Sequence, residues 1–367
     1  MWFLFFIPLF IYVCLVIWFV KGWASLSSIP RHESAVRTTI LIPCRNESEN
    51  ISKILESIAH QNFDFSILEV IVIDDHSQDD TYQTALEFKS DKFKPFFIKL
   101  KEDERGKKVA INAGISSSQG EIIVCTDADC LFGNLWLSTI TAPFNAPEVQ
   151  LVSGPVMFQE RKGIWNELMQ LEFISLIAIG AASIQNRHPN MCNGANIAYR
   201  KSAFYEVGGF KDNAHLPSGD DEFLMHKINK RFAGSVRFIK NSEAMVFTEP
   251  PNSLSQFVNQ RIRWGSKTGY YKGLKAKLIP GFMFLFSLIL FLTPLFYVLG
   301  MPWSIIATLW LVKLGVEVLF FSAVLPFFRS SKLLDMVIVA QVFHVTYIAL
   351  IGIMSVAIPY HWKGRKN

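Results

Sequence analysis

Cysteine is scarce and unpatterned. Cys14, Cys44, Cys125, Cys130 and Cys192 make no CxxC pair and no zinc-type spacing with histidine. A disulfide scaffold and a zinc module are therefore excluded, and reduced structural thiols of a cytoplasmic domain are expected. A dominant sign of charge is also lacking: 36 Lys and Arg stand against 31 Asp and Glu, a net of +5. No basic, aromatic-interleaved surface motif of the RNA-binding kinds occurs, so no nucleic-acid partner is expected. Charge is absent altogether from Met1 to Val20, and the basic n-region of a cleavable signal is missing with it.

Apolar residues are abundant instead. They make up 50% of the 367 residues, too many for an ordinary soluble enzyme, while 18% charged residues is too many for a pure membrane bundle. Residues 1–23 read as a retained transmembrane anchor, and residues 278–360 as about three C-terminal transmembrane helices. Pro294 and the Gly300-Met301-Pro302 turn divide the first two of these. Between the membrane segments lie a polar domain, residues 36–250, and an amphipathic interfacial helix, residues 251–277. Basic residues flank the membrane segments on the domain side: Lys21 and Arg31 after the first, and Arg261, Arg263, Lys267, Lys272, Lys275 and Lys277 before the second. Positive flanks stay inside, which predicts a multi-pass protein of the inner (plasma) membrane with its polar domain cytoplasmic. Three later spans would put the basic tail Lys363, Arg365 and Lys366 on the opposite face, against the same rule, unless one segment is re-entrant or interfacial. Lys313 and Glu317 lie one turn apart inside an apolar span; such ionisable groups are functional candidates, and mutual pairing is the structural alternative.

In the middle, strand-like TTILIP (38–43), EVIVI (69–73), 96–100 and 121–125 alternate with helix-like 49–59, 81–88 and 106–115. That alternation predicts βαβ units, and the absence of polar alternation predicts strands covered on both faces. The fold class is thus α/β, Rossmann-like, with a mainly parallel sheet. Ligands bind beyond the carboxyl ends of such strands. Three strand ends carry polar clusters there: Pro43-Cys44-Arg45-Asn46-Glu47, Asp74-Asp75-His76-Ser77 and Asp127-Ala128-Asp129. An isolated Asp-x-Asp is usually an Asx turn. Three acidic strand ends converging on one crevice suit Mg²⁺ or Mn²⁺, which take one or two carboxylates plus substrate phosphates. The helix-like run 164–184 is unusually apolar; it reads as core packing or as a membrane-lying helix.

The ordered set ILIPCRNESENI, VIVIDDHSQDDT, GKKVAINAGI, CTDADC, GANIAYRKSAF, SGDDEFL and QRIRW resembles glycosyltransferase family 2, with its GT-A fold, over about residues 36–270. The resemblance implies donor-binding roles for Pro43, Arg45, Glu47, Asp75, Lys107 and Asp127, and a metal pair in Asp127 and Asp129. Asp79 fits either the nucleotide segment or an N-cap. His76 stands where the family usually has glycine, and Lys108 fits either the basic site beside Lys107 or a solvated helix start. Asp221, with Asp220 in the family's Glu position, is implied as the catalytic base. Gln260, Arg261, Arg263 and Trp264 are implied for the diphosphate and acceptor, and the basic helix carrying them also fits a membrane interface. The implied activity is inverting, metal-dependent transfer of a hexosyl or N-acetylhexosaminyl group. It runs from a nucleotide-sugar donor, expected to be UDP-linked, to a lipid or cell-envelope glycan. Processive polysaccharide synthesis and a catalytically silent nucleotide-sugar-binding scaffold stay open as alternatives.

Overall fold

The apolar runs ILI (40–42), VIVI (70–73) and IIVC (122–125) become parallel strands buried on both faces, whereas the run Phe96–Lys99, expected to be covered likewise, is an edge strand and stays partly exposed. The computed structural model describes residues 2–27, 36–213, 219–270, 274–357, 361–362 and 365–366. The flank residues Arg31, Lys272 and Lys363, and Ser218 ahead of the acidic motif, lie outside them. Strands Thr38–Cys44 (β1), Leu68–Asp74 (β2), Phe96–Lys99 (β3) and Ile122–Cys125 (β4) pair in parallel in the order β3-β2-β1-β4. Ile40, Leu41, Ile71, Ile73, Ile122 and Val124 are fully enclosed. Next in sequence come Leu131–Phe132 (β5), Leu151–Ser153 (β6), Val156–Phe158 (β7), Ile197–Arg200 (β8), Val236–Phe238 (β9) and Val246–Thr248 (β10). β8 runs antiparallel to β4, β6 antiparallel to β8, and β9 parallel to β6, completing a mixed sheet of seven strands. β5, β10 and β7 form a second, three-stranded sheet.

The helices are Phe6–Ala24 (α1), Ile51–Ala59 (α2), Thr81–Glu87 (α3), Lys107–Ser117 (α4), Trp136–Thr141 (α5), Ile164–Gln185 (α6), Lys201–Glu206 (α7), Glu222–Arg231 (α8), Leu254–Ser266 (α9), Leu274–Phe291 (α10), Thr293–Val298 (α11), Trp303–Val324 (α12) and Met336–Ala357 (α13). The chain divides into two compact units. One, Leu26–Gln159 with Ser183–Glu249, holds the seven- and three-stranded sheets; the other, Met1–Ser25 with Glu160–Ala182 and Pro250–Asn367, is helical apart from the short antiparallel pair His361–Trp362 and Arg365–Lys366. One segment departs from the division expected at residues 36–250. Residues 160–182 cluster with the helical unit, where the largely apolar α6 is mostly buried.

Among the described residues, four helices are long and apolar enough to cross a membrane: Trp2–Ala24, Ile164–Gln185, Trp303–Val324 and Met336–Ser355. The first of the three expected C-terminal spans is a broken one. A shorter apolar helix, Lys277–Phe291, ends before Pro294, which starts α11 in its first turn, and Gly300, at φ +90°, closes that turn. Phe3, Phe10, Leu311, Leu319, Ile338 and Val342 are exposed on α1, α12 and α13 and the turn before α1, an apolar outer face suited to lipid. Polar groups point inward. Lys313 bonds Gln341 at 2.8 Å and pairs with Glu317 at 2.8 Å, and Tyr12 and Gln341 both donate to the same Glu317 carboxylate. The two ionisable groups flagged in the apolar span thus satisfy each other.

A second buried pair ties α6 to α9. Arg261 Nε donates to Glu172 Oε1 (3.0 Å) and its Nη2 to Oε2, while Tyr347 OH donates to Oε1 (2.8 Å). The guanidinium lies 4.5 Å from the Phe257 ring centroid and 4.3 Å from that of Trp264. Both side chains of the pair are buried, at 3% and 2% exposure. Removing one partner of such a pair strands the other charge, at a cost of roughly 3–5 kcal/mol. Glu172→Gln is therefore expected to lower the unfolding midpoint of the detergent-purified protein clearly. Glu160→Gln, which breaks the exposed pair with Lys332, is expected to leave it unchanged.

Candidate functional site

Parallel pairing brings the carboxyl ends of β1, β2 and β4 side by side, with Cys44 opposite Asp74 and Leu41 opposite Cys125. The residues just beyond those ends make the candidate site, all within the sheet-bearing unit. Arg45 Nη1 donates to the Asp75 carbonyl (2.9 Å), linking the first strand end to the second. Asp75, 3% exposed, accepts the Gly106 N–H at 3.0 Å and so holds the loop that starts α4. Gly106 stands at φ +100°, a conformation glycine adopts without strain. Lys107, the first residue of α4, then reaches Asp127 Oδ1 at 2.6 Å and Asp220 Oδ2 at 3.5 Å.

Asp221 completes the cluster from the start of α8. Its carboxylate accepts the Gly194 N–H (2.8 Å) and the Glu222 N–H (2.7 Å). Gly194 marks the centre: a Cβ added there would lie 3.3 Å from Asp220 Oδ2, 3.3 Å from Asp221 Oδ2 and 3.4 Å from Lys107 Nζ. Three charged groups from two separate segments thus surround one point. Burial works against the Lys107 charge, yet the fields of Asp127, Asp220 and Asp221 overcome it and raise its pKa above the ordinary lysine value.

Asp129 faces another partner, accepting from the Thr248 hydroxyl on β10 at 3.2 Å. The Asp127 side chain keeps 38% of its surface exposed. Among the described residues, no group of three or more His, Cys, Asp and Glu side chains is placed to share an ion. Two carboxylate side chains do not make a closed zinc site; they fit Mg²⁺ or Mn²⁺ with phosphate oxygens and water completing the coordination.

The other expected residues lie as follows. Pro43 is half-buried in β1. Glu47 accepts from Asn50 Nδ2 (2.9 Å), and its N–H donates to Thr81 Oγ1 (2.7 Å). Asp79 behaves as a helix-start group: it accepts the N–H groups of Thr81 (3.1 Å) and Ser48 (3.2 Å) and also the Thr81 hydroxyl. Burial alone would raise the Asp79 pKa, but these hydrogen bonds outweigh it and lower the value. Lys108 corrects the expectation of a solvated helix start. It is buried at 5% exposure, donates to the Asn213 carbonyl at 2.7 Å and sits over the Phe223 ring. In the helical unit, α9 carries Gln260, Arg261, Arg263 and Trp264; Arg261 is bound to Glu172 as described, and Gln260 accepts from it. Gly194 opens the GANIAYRKSAF segment of the family resemblance, whereas Thr248 escaped sequence reasoning, since it carries no charge and lies in no motif.

Residues 39–208 match the model of the family described as glycosyl transferase family 2. These residues form a family 2 glycosyltransferase domain. The chain is 32% identical over 183 residues to glycosyltransferase AglE of Haloferax volcanii, covering 50% of this chain and 58% of that protein. It is 26% identical over 242 residues to a poly-beta-1,6-N-acetyl-D-glucosamine synthase of Staphylococcus epidermidis, covering 64% of this chain and 55% of that one. The chain thus spans somewhat more than half the length of these curated relatives. Its fold is similar to that of mannosyltransferase PcManGT from Pyrobaculum calidifontis, solved with GDP-Man and Mn²⁺. The TM-score is 0.61 and the identity 20%, over 92% of this chain and 94% of that one.

Behind the family 2 site, burial pushes the Cys125 thiol up to about 12, with the Tyr199 hydroxyl at 3.4 Å partly opposing it. Burial and then the Asp129 charge raise Cys130 as well. A raised folded pKa means the folded protein binds the proton more tightly than the unfolded chain. This contribution is complete below the ordinary thiol value of 9.0 and fades as pH rises towards about 12. At pH 8, iodoacetamide is therefore expected to leave Cys125 and Cys130 unmodified in the folded protein and to alkylate both after denaturation, as read by peptide mass spectrometry.

Proposed function

We propose that this chain is a membrane-anchored, inverting glycosyltransferase that moves a sugar from a nucleotide-sugar donor to a lipid or cell-envelope glycan acceptor at the cytoplasmic face of the membrane. The observation that carries the reading is the meeting of Lys107, Asp220 and Asp221 around Gly194, with Asp127 paired to Lys107, inside the segment matched to the family and just after it. A UDP-linked sugar is the proposed donor class. Pro43, Arg45, Glu47 and Asp75, at the ends of β1 and β2, are assigned to the nucleotide, with Lys107 beside its diphosphate.

Asp221 is the proposed base. Inversion needs one carboxylate to take the acceptor hydroxyl's proton as that oxygen attacks the anomeric carbon and the bond to the nucleoside diphosphate breaks. Two backbone N–H groups fix the orientation of the Asp221 carboxylate. Lys107 offers a cation to the phosphate oxygens that gain charge as the donor bond opens. A divalent ion, held by Asp127 and Asp129, would supply further charge neutralisation at the departing diphosphate. On α9, Gln260, Arg263 and Trp264 are assigned to the diphosphate and acceptor. Arg261, committed to Glu172, instead fixes that helix against α6.

The likeness to poly-beta-1,6-N-acetyl-D-glucosamine synthases favours processive synthesis as a second reading, which the size of the product separates from single transfer. The assembled charges argue against a silent scaffold. The test is release of free nucleoside diphosphate from a panel of UDP- and GDP-sugars by the detergent-purified protein, with and without Mn²⁺. Asp221→Asn is expected to cut turnover by about 10²–10⁴-fold while donor affinity changes little. Turnover close to wild type would remove Asp221 from the base's role; no release from any donor by the wild type would remove the enzymatic reading.

A further inference from the structure

Lys107 is placed against the local field of its own helix. The first turn of a helix favours anions, since its free N–H groups carry partial positive charge. A lysine at the first position of α4 is therefore held there by something stronger, and the structure shows what. Its ammonium lies 2.6 Å from Asp127 and 3.5 Å from Asp220, with Asp221 bordering the same point at Gly194. Without it, carboxylates from two segments would lose the ammonium that lies among them. The cation sits on an oxygen of Asp127, one of the two carboxylates that fit Mg²⁺ or Mn²⁺.

We propose that Lys107 is a tethered counter-cation that neutralises the acidic cluster and competes with the divalent ion for Asp127. This rests on the reading of Asp127 and Asp129 as metal-binding. An ammonium on a four-carbon stem suits this role, being a compact charge that can swing without moving its helix. The Lys107 side chain keeps 20% of its surface exposed and Asp127 38%, so the pair borders solvent and has a way to part. Entry of the divalent ion then releases Lys107 from Asp127, and the freed ammonium becomes available to the donor's phosphates. Metal and donor binding become cooperative through one side chain, because each makes the other's partner available.

Mn²⁺ affinity, measured without donor from the electron paramagnetic resonance signal of free Mn²⁺, tests this directly. Lys107→Met and Lys107→Gln are expected to bind Mn²⁺ at least about tenfold more tightly than wild type, because a cation beside the site is gone. Lys107→Arg, which keeps the charge, is expected to stay within about threefold of wild type. Equal or weaker binding by both neutral variants overturns the inference while leaving the metal site itself standing. Asp127→Asn in the Lys107→Met background is expected to abolish the gain; an unchanged gain would place the ion elsewhere and overturn the inference. Absence of Mn²⁺ binding in wild type and variants alike, even with UDP present, would instead bring down the metal reading of Asp127 and Asp129. Wild-type protein supplies a readout that needs no variant: Mn²⁺ is expected to increase acetylation of Lys107 by acetic anhydride, and an unchanged extent would overturn the inference.

Discussion

Charge neutralisation at the carboxyl ends of a buried parallel sheet governs the arrangement of the site. Strands enclosed on both faces can expose side chains only at their ends, and three neighbouring ends here carry acids. The acids of the site are matched by donors, most of them brought from another segment. Gly106 N–H meets Asp75, Lys107 meets Asp127 and Asp220, Gly194 and Glu222 N–H groups meet Asp221, and Thr248 meets Asp129. Removing any one of these donors leaves a carboxylate with less compensation in a half-enclosed crevice, where water only partly replaces it. Folding of the sheet-bearing unit and assembly of the site are therefore one process.

The same logic operates in the helical unit with the opposite solvent. Helices whose outer faces are apolar turn their few polar side chains inward, where each must find a partner. Lys313, Glu317, Gln341 and Tyr12 satisfy one another across α1, α12 and α13. Arg261, Glu172 and Tyr347 do so across α9, α6 and α13. Apolar contacts alone would allow such helices to slide; directional ion pairs specify which turn faces which.

How much of this the sequence disclosed depended on whether the cause was local. β1, β2 and β4 were legible because both-face burial demands unbroken runs such as TTILIP and IIVC, which few other structures produce. Asp127, Lys107 and Asp221 were legible through ordered motifs. The short strands β5, β7, β9 and β10 were not, since two or three residues carry no period. Lys108 misled because its partners, the Asn213 carbonyl and the Phe223 ring, lie more than a hundred residues on. Thr248 gave no signal at all: a threonine in a strand is ordinary, and only the fold places it against Asp129.

Arg261 shows where motif and chemistry part. QRIRW presents two arginines one residue apart, about 200° apart around a helix, so they face opposite sides. One side of α9 is occupied by packing: Phe257, Arg261 and Trp264 follow at i, i+4 and i+7, and their rings and guanidinium stack together over Glu172. Arg263 is therefore carried on a different face from the residue that anchors the helix. A single apolar helix with one acid in its middle, as in α6 with Glu172, was the trace of this in the sequence. An unpaired glutamate in such a run is too costly to persist, so it announces a cation that must come to it from elsewhere in the chain.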